Sequence, residues 1–472
     1  MMNLLAIGEK SLLSKEYRFA LQLTIGLTII FTIVVLLSAG NISAIMLFPL
    51  IAVQLALIFN FELSLLTIVV LLFANFPFIY TSAVLFSIPL GVSFIIRHRD
   101  IEWKEFANPI TIPIIVYGFC ILPSFLNSVK PLTSFLMLFN VVAFLIVTYS
   151  IIAGVRTYKE INKIVAVFLV MVLLNSLDVF RLSVQGANRP FGFAGIMFVD
   201  YSALGICLAI TIALISHGLK RIFFLLLSFI PTVALILTQT RNTWLSAVIT
   251  IVVLIGYLII YPNLAGFSRK QLLLLIMMGL LVMVGVVMVT LTYNPRIEKR
   301  ATELTLNNEY SVDESGKAEN SMVTRLFIWD TALNAFRAHP IVGIGVYGFG
   351  YSSHQYYQIP KILYTRYVAN ASPHQTHIAV LAETGIIGFI GFIVFIFSIL
   401  KYTFRTVREA VDNRGKRYAL VGLIGVVYCV VSMLFTDAWL WGQGIVLLGL
   451  VVGLMLVNRK ISCKPIQNIV NV

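Results

Sequence analysis

The chain has 472 residues, of which 59% are hydrophobic and 11% are charged, and its formal net charge is +14. Soluble globular proteins have about 25% charged residues, so this composition excludes an ordinary soluble domain. The apolar runs are continuous and close to the roughly twenty residues that span a bilayer, which excludes a membrane β-barrel with its short alternating strands. In a membrane protein, lysine and arginine enrichment of the cytoplasmic loops explains the positive charge, so we predict no nucleic-acid partner.

The sequence predicts an all-α polytopic bundle with about 12–14 transmembrane helices, because backbone groups within a bilayer must be bonded inside their own segment. Segments 63–75 and 81–96 are short, and they predict either one broken helix or a re-entrant pair. The fourteen apolar segments are 19–38, 43–60, 63–75, 81–96, 109–126, 131–154, 162–180, 194–216, 221–238, 243–260, 271–293, 374–400, 418–436 and 442–457.

A long polar interruption, residues 294–373, divides the chain. Residues 1–293 hold the first eleven segments, and residues 374–472 hold the last three and a tail. Most of the 34 lysines and arginines lie in short loops on the side opposite the interruption. Cytoplasmic loops carry this excess, so the interruption is predicted to be an extracytoplasmic loop and both termini to be cytoplasmic.

The second half of this loop has a helical pattern. The run SMVTRLFIWDTALNAFRAHP has apolar residues at spacings of three and four, which predicts an amphipathic helix ending at His339 and Pro340. The residues predicted to share its apolar face are Met322, Leu326, Trp329, Leu333 and Phe336. The following run, IVGIGVYGFG, has four glycines in eight positions and predicts a tight turn.

Two arginines near this loop are candidates for binding phosphate. Arg325 lies beside the predicted apolar face, and a guanidinium presents a fork of donors that matches phosphate oxygens. The alternative is a surface arginine paired with Asp330 or Glu319. Arg241, in LTQTRNTWLS, lies between two apolar segments, where it either binds a lipid diphosphate or reaches the headgroups.

Three further candidates lie where the chain re-enters the membrane, in SPHQTHIAVLAETG. His374 is a candidate general base, because the unperturbed pKa of a histidine, about 6.5, suits that role. Ser372 is expected to cap the next helix, and Pro373 to be its first residue. His377 lies one turn further and is expected to pack in the bundle, because no matching carboxylate completes a metal site. Glu383 either has a function or pairs with a basic group or a backbone donor.

Together, these motifs resemble the O-antigen ligase and O-antigen polymerase family of bacterial membrane glycosyltransferases. The resemblance rests on TRNTWLS, on R-x3-W followed by NAFRAHPIVGIGVYGFG, and on HQTHIAVLAETGIIG. It implies a GT-C-like fold and metal-independent, inverting transfer of a glycan from an undecaprenyl-diphosphate carrier, without a cofactor. It makes Arg241 and Arg325 diphosphate ligands and His374 the general base. The residues assigned to substrate binding are Arg189, Trp329, Gln375, His377 and Glu383.

The same resemblance leaves two activities open. A polymerase adds repeat units to a glycan, whereas a ligase attaches finished polymer to the lipid A core. We favour a polymerase, since nothing in the chain indicates recognition of the lipid A core. The predicted location is the bacterial cytoplasmic membrane, and the predicted partners are a lipid-linked oligosaccharide donor, a glycan or glycolipid acceptor, a chain-length regulator and a flippase. A flippase or exporter of lipid-linked oligosaccharide is the alternative from another class; its ionisable residues would line a central cavity.

Overall fold

The computed structural model describes residues 57–58, 60–73, 82–97, 108–187, 189–264, 270–271, 321–437 and 442–462, and within these ranges it contains helices and turns but no strand. Predicted segment 19–38 lies outside the described residues, as do segment 271–293 beyond residue 271, most of segment 43–60 and the first half of the polar loop. The fold is therefore built here from the remaining segments and from the second half of the loop.

The described ranges contain twelve principal helices. The first eight are α1 (Phe61–Leu71), α2 (Ser82–Arg97), α3 (Thr111–Ile121), α4 (Pro131–Gly154), α5 (Tyr158–Val184), α6 (Phe198–Ile215), α7 (Gly218–Leu237) and α8 (Arg241–Ile260). The last four are α9 (Ser321–Ala338), α10 (Thr376–Glu409), α11 (Asn413–Ser432) and α12 (Gly442–Ser462). Short helical turns cover Leu122–Asn127, Gly195–Met197, Pro262–Leu264, Phe349–Ser352, Ser353–Gln355, Lys361–Leu363 and Tyr364–Val368.

Within the described ranges, eight helices are long and apolar enough to cross a membrane, and α1 and α3 are shorter apolar helices. The prediction of an all-α polytopic membrane bundle is confirmed. Segment 131–154 coincides with α4, and segments 63–75 and 81–96 form the separate helices α1 and α2. Hydropathy located these helices because lipid solvates a spanning helix along most of its length.

Close packing of α12 against α4 forms the centre of the bundle, and α11 joins α12 to α6 and α8. Lipid tails are as apolar as the helix surfaces, so helices associate through tight packing at small residues. A Cβ placed on Gly449 would lie 3.1 Å from the carbonyl oxygen of Phe144, and one on Gly453 would lie 3.0 Å from the Cβ of Ile151. These glycines let the two backbones approach within the distance that a side chain would occupy.

Helix α9 belongs to the loop and packs on α10. It ends at Ala338, as the His339-Pro340 pair predicted. The prediction of its buried face was wrong, because Ile328, Ala332 and Ala335 are fully buried while Leu326 and Trp329 are only half-buried. The alanines bring the two helix backbones close together, and the larger side chains flank this contact.

Helix α10 is interrupted at Gly385, whose φ of 62° and ψ of −166° are not helical. The run 341–350, called the glycine-rich turn below, lies against this interruption. The amides of Ile386 and Ile387 donate to the carbonyl oxygens of Pro340 (2.9 Å) and Ile341 (3.3 Å). In return, the amides of Ile344 and Gly345 donate to the carbonyls of Ala382 and Glu383. The loop thus satisfies backbone groups that the break in α10 leaves without helical partners.

Candidate active site

Residues 238–242, called the arginine turn below, connect α7 to α8 and place Arg241 at the first position of α8. Helix N-termini carry a partial positive charge, so an arginine at this position is unfavourable for the helix but adds to its attraction for anions. Arg189 supports the turn from the side: its guanidinium donates to the carbonyl oxygen of Thr238 (3.3 Å) and to the hydroxyl of Thr240 (3.5 Å). The structure therefore places Arg189 against the turn that carries Arg241.

The His374 turn, residues 370–376, leads into α10. Helix α10 begins at Thr376 with Gln375 as its cap, so the prediction of Ser372 as the cap and Pro373 as the first residue was wrong. The reason is that His374 has a left-handed backbone, with φ of 55°, which cannot belong to a right-handed helix. The Ser372 hydroxyl lies 3.2 Å from Nδ1 of His374 instead.

Asp437 and the residues before it link the arginine turn to the His374 turn. The sequence did not predict this role. The segment 433–437, called the Asp437 segment, follows α11. The backbone amide of His374 donates to Oδ2 of Asp437 (3.2 Å). The side-chain amide of Asn242 donates to the carbonyl oxygen of Phe435 (3.3 Å). The Thr376 hydroxyl donates to the carbonyl of Thr436 (2.6 Å). A single segment thus links the arginine turn to the His374 turn.

Arg325 lies within electrostatic reach of Arg241 and Asp437, and His374 lies within reach of Arg325 and Asp437. Desolvation and the charge of Arg241 lower the pKa of Arg325, which Asp437 opposes. Desolvation and the charge of Arg325 likewise lower the pKa of His374, and Asp437 raises it. The His374 ring remains exposed on its solvent side, so an incoming hydroxyl can approach it. Among the described residues, Arg325 forms no ion pair with Asp330; Glu319, the other partner in the alternative interpretation, lies outside them.

Backbone strain is concentrated at the same place. Non-glycine residues rarely adopt positive φ, and those that do occur often at functional sites. Within the described ranges four do so: Gln239 in the arginine turn, Tyr347 in the glycine-rich turn, and Asn370 and His374 in the His374 turn. Each of these three segments therefore contains strained backbone.

The remaining candidates make structural contacts around these turns. The Trp329 indole donates to the carbonyl oxygen of Pro373 (2.9 Å) and so fixes α9 to the His374 turn. The Gln375 side chain accepts from the amide of Ile378 (2.7 Å) as the helix cap. His377 lies one turn further, with its ring edge-on to Phe392 at 5.5 Å between centroids.

Glu383 is buried further along α10 and is paired with backbone donors, one of the alternatives that the sequence left open. Its carboxylate accepts from the amides of Tyr347 (2.8 Å) and Phe349 (3.3 Å). On the side of the bundle, the side-chain amide of Asn127 donates to the carbonyl oxygen of Gly343 (2.9 Å). The glycine-rich turn is therefore held between the bundle and α10.

Gly385→Ala is expected to displace this turn and lower activity at least tenfold. A Cβ at Gly385 would lie 2.4 Å from the Ile341 carbonyl oxygen, and the backbone conformation itself excludes alanine. Gly256→Ala, in α8, is the matched control, since no atom lies within 4 Å of its added Cβ. Limited proteolysis of the loop and a transfer assay measure the effect; a Gly385 variant with wild-type protection would contradict this account.

Among the described residues, no three histidine, cysteine, aspartate or glutamate side chains cluster so as to hold a metal ion. The charges available at the site are those of two guanidinium groups, one imidazole and the Asp437 carboxylate. Such a set can bind a diphosphate and can accept a proton from a hydroxyl.

Comparison with known proteins agrees with this arrangement. The family model for O-antigen ligase matches residues 222–393. This range includes the arginine turn, α9, the glycine-rich turn and the His374 turn, and it leaves out Arg189 and Asp437. No curated protein matches the chain significantly. The resemblance drawn from the motifs is confirmed, because residues 222–393 of the chain are similar to the O-antigen ligase family.

Proposed function

We propose that the protein is a bacterial surface-polysaccharide polymerase that transfers a glycan from an undecaprenyl-diphosphate carrier to an acceptor hydroxyl. The family supports a glycosyltransferase acting on lipid-linked glycans. The observation that carries the proposal is that Arg325 lies within electrostatic reach of both Arg241 and His374, although three distant parts of the chain supply these residues. The same residues would serve a ligase, in which the acceptor is the lipid A core.

In the proposed reaction, Arg241 and Arg325 hold the diphosphate of the donor. When Nδ1–H of His374 donates to Ser372, Nε2 carries the lone pair and takes the proton of the acceptor hydroxyl. The hydroxyl oxygen attacks the anomeric carbon from the side opposite the diphosphate, and the bond to the diphosphate oxygen breaks. The two guanidinium groups stabilise the negative charge that collects on the departing undecaprenyl diphosphate, and inversion follows from this direction of attack.

The proposed orientation places the site at the outer face of the cytoplasmic membrane, with both termini inside. Arg405, Arg408 and Arg414 lie at the junction of α10 and α11, at the opposite end of α10 from His374. Cytoplasmic loops carry such basic residues. A flippase that delivers the donor and a chain-length regulator are the proposed protein partners.

Arg241→Ala is expected to abolish mature surface glycan in cells. The variant would lose one of two cations that bind the diphosphate, and a donor left with one cation would bind and react poorly. Gel electrophoresis of surface glycans distinguishes the activities. A polymerase variant leaves single repeat units, a ligase variant leaves long chains on the carrier lipid, and a flippase variant leaves substrate on the cytoplasmic leaflet.

The matched control is Arg405→Ala, an exposed arginine at the other end of α10. Both variants are first compared for their amount in the membrane. Wild-type glycan in cells carrying Arg241→Ala would refute the proposed site, and lipid-linked substrate confined to the cytoplasmic leaflet would favour a transporter.

A further inference from the structure

A cavity of about 340 Å³ opens beside the His374 turn and extends between α10, α3, α4 and the glycine-rich turn. Ser372, Pro373 and Asp437 form its wall next to His374. Neither Arg241 nor Arg325 lines it, so the cavity does not include the groups proposed to bind the donor diphosphate. His374 is not itself a lining residue, and the cavity borders it through Pro373 and Asp437.

Along α10, the polar residues that line the cavity lie towards His374. On α10, Thr376, Glu383 and Thr384 line the end nearest this residue, whereas Phe392, Phe395 and Ile396 line the far end, several turns along the helix. Small-molecule sites in proteins commonly combine apolar and aromatic walls with a few placed polar groups. The cavity therefore has a polar end at the candidate base and an apolar end within the bundle.

The charges of the polar end select the kind of ligand. Glu383 and Asp437, which are 8% and 7% exposed, present two carboxylates and so disfavour a diphosphate. The amides of Tyr347 and Phe349 each donate to a different oxygen of Glu383, so each oxygen keeps a lone pair for a further hydrogen bond. The remaining lone pairs can accept hydrogen bonds from hydroxyl groups.

Aromatic rings complete this end of the cavity. Tyr347 and Tyr351 line it from the glycine-rich turn and the short helix that follows. The Lys130 ammonium lies over the ring of Tyr351, 4.0 Å from its centroid. Carboxylates and flat apolar rings side by side suit a sugar, which carries hydroxyls at its edge and C–H groups on its faces.

We propose that the polar end of this cavity binds the acceptor saccharide and presents one of its hydroxyls to His374. This inference rests on the proposed function and adds to it the place and chemistry of the second substrate. The acceptor hydroxyl and the departing diphosphate would then lie on opposite sides of the anomeric carbon, as inversion requires.

Val380→Phe tests the proposal by filling the cavity. Val380 is 2% exposed and lines the cavity from α10, and it lies outside the proposed catalytic groups. The matched control is Val394→Phe on the same helix, at a position 44% exposed on the outer surface of the bundle. Two probes are used with the full-length protein in nanodiscs: undecaprenyl diphosphate, and the free saccharide released by acid from the carrier lipid that accumulates in cells carrying His374→Ala.

We expect Val380→Phe to weaken saccharide binding by about tenfold or more, because an added ring occupies the volume that the sugar would fill. Its binding of undecaprenyl diphosphate is expected to stay at the wild-type level, and Val394→Phe is expected to change neither. Wild-type saccharide binding by Val380→Phe would overturn the inference. Loss of undecaprenyl diphosphate binding would also overturn it, since the cavity would then hold the carrier lipid.

A second variant keeps the test valid if Val380→Phe does not fold. Tyr351→Ala, at a rim position 39% exposed, is expected to weaken saccharide binding about tenfold, with Tyr261→Ala, 50% exposed, as its control.

Normal surface glycan in cells carrying His374→Ala would refute the proposed function and the inference together. Arrested glycan in those cells with normal saccharide binding by both cavity variants would refute the inference alone.

Discussion

Alanine in place of His374 is expected to lower the rate of glycan transfer by about 10²- to 10⁴-fold, the usual contribution of a general base. The protein should still bind undecaprenyl diphosphate, because the two guanidinium groups remain. The exposed His354→Ala is the control, and both variants are assayed in the same membranes. If the His374 variant kept more than about a tenth of wild-type activity, His374 would not be the general base.

The dependence of the rate on pH gives a second measurement of His374. Its pKa lies below the ordinary value of about 6.5, so the neutral ring persists at neutral pH and activity falls only as pH drops through that lowered pKa. Asp437 raises the pKa, so Asp437→Asn should move the acidic limb to lower pH. Arg325 lowers it, so Arg325→Ala should move the limb to higher pH. If neither substitution shifts the acidic limb of the pH–rate profile, that limb reports the titration of a group other than His374.

Arg325→Ala is expected to weaken binding of undecaprenyl diphosphate by about 10- to 100-fold, the cost of losing charge-assisted hydrogen bonds to a phosphate. Arg325→Lys should restore only some of the binding, since an ammonium lacks the planar fork of the guanidinium. The matched control is Arg337→Ala on the same helix, whose exposed side chain donates to Asn334 at 2.6 Å.

Binding is measured on protein in nanodiscs with undecaprenyl diphosphate titrated against wild type and the three variants. Equal loss in the Arg325 and Arg337 variants would indicate general attraction of the loop for anions. Loss confined to Arg325, with partial recovery by lysine, would indicate a specific diphosphate site.

The sequence predicted the transmembrane helices well where hydropathy decides the structure. Segment 131–154 is reproduced as α4, because its spanning length and apolar composition are local properties. The break at Gly385 could not be predicted in the same way. It lies inside one continuous apolar run, and the groups that satisfy it come from Pro340 and Ile341 in the loop.

The candidate site was predicted in its residues but not in its arrangement. Arg241 and His374 were visible as ionisable residues beside membrane segments, a pattern that indicates function, and Arg325 was visible beside the apolar face of a loop helix. The role of the Asp437 segment could not be predicted, because Asp437 contacts the His374 turn and Phe435 contacts the arginine turn across long distances in the chain. The cap of α10 was mispredicted because the left-handed backbone of His374 leaves no mark in the composition.

The exchange of hydrogen bonds at Gly385 also limits how this protein can be recombined with its relatives. An unwound turn in a membrane helix needs partners from protein, since lipid offers none. Residues 340–345 supply those partners to residues 382–387. A chimera that takes the loop from one homologue and α10 from another would join two halves of one hydrogen-bonded unit. Exchanges of acceptor specificity between relatives should therefore succeed when both stretches are transplanted together, and fail when the crossover point lies between them.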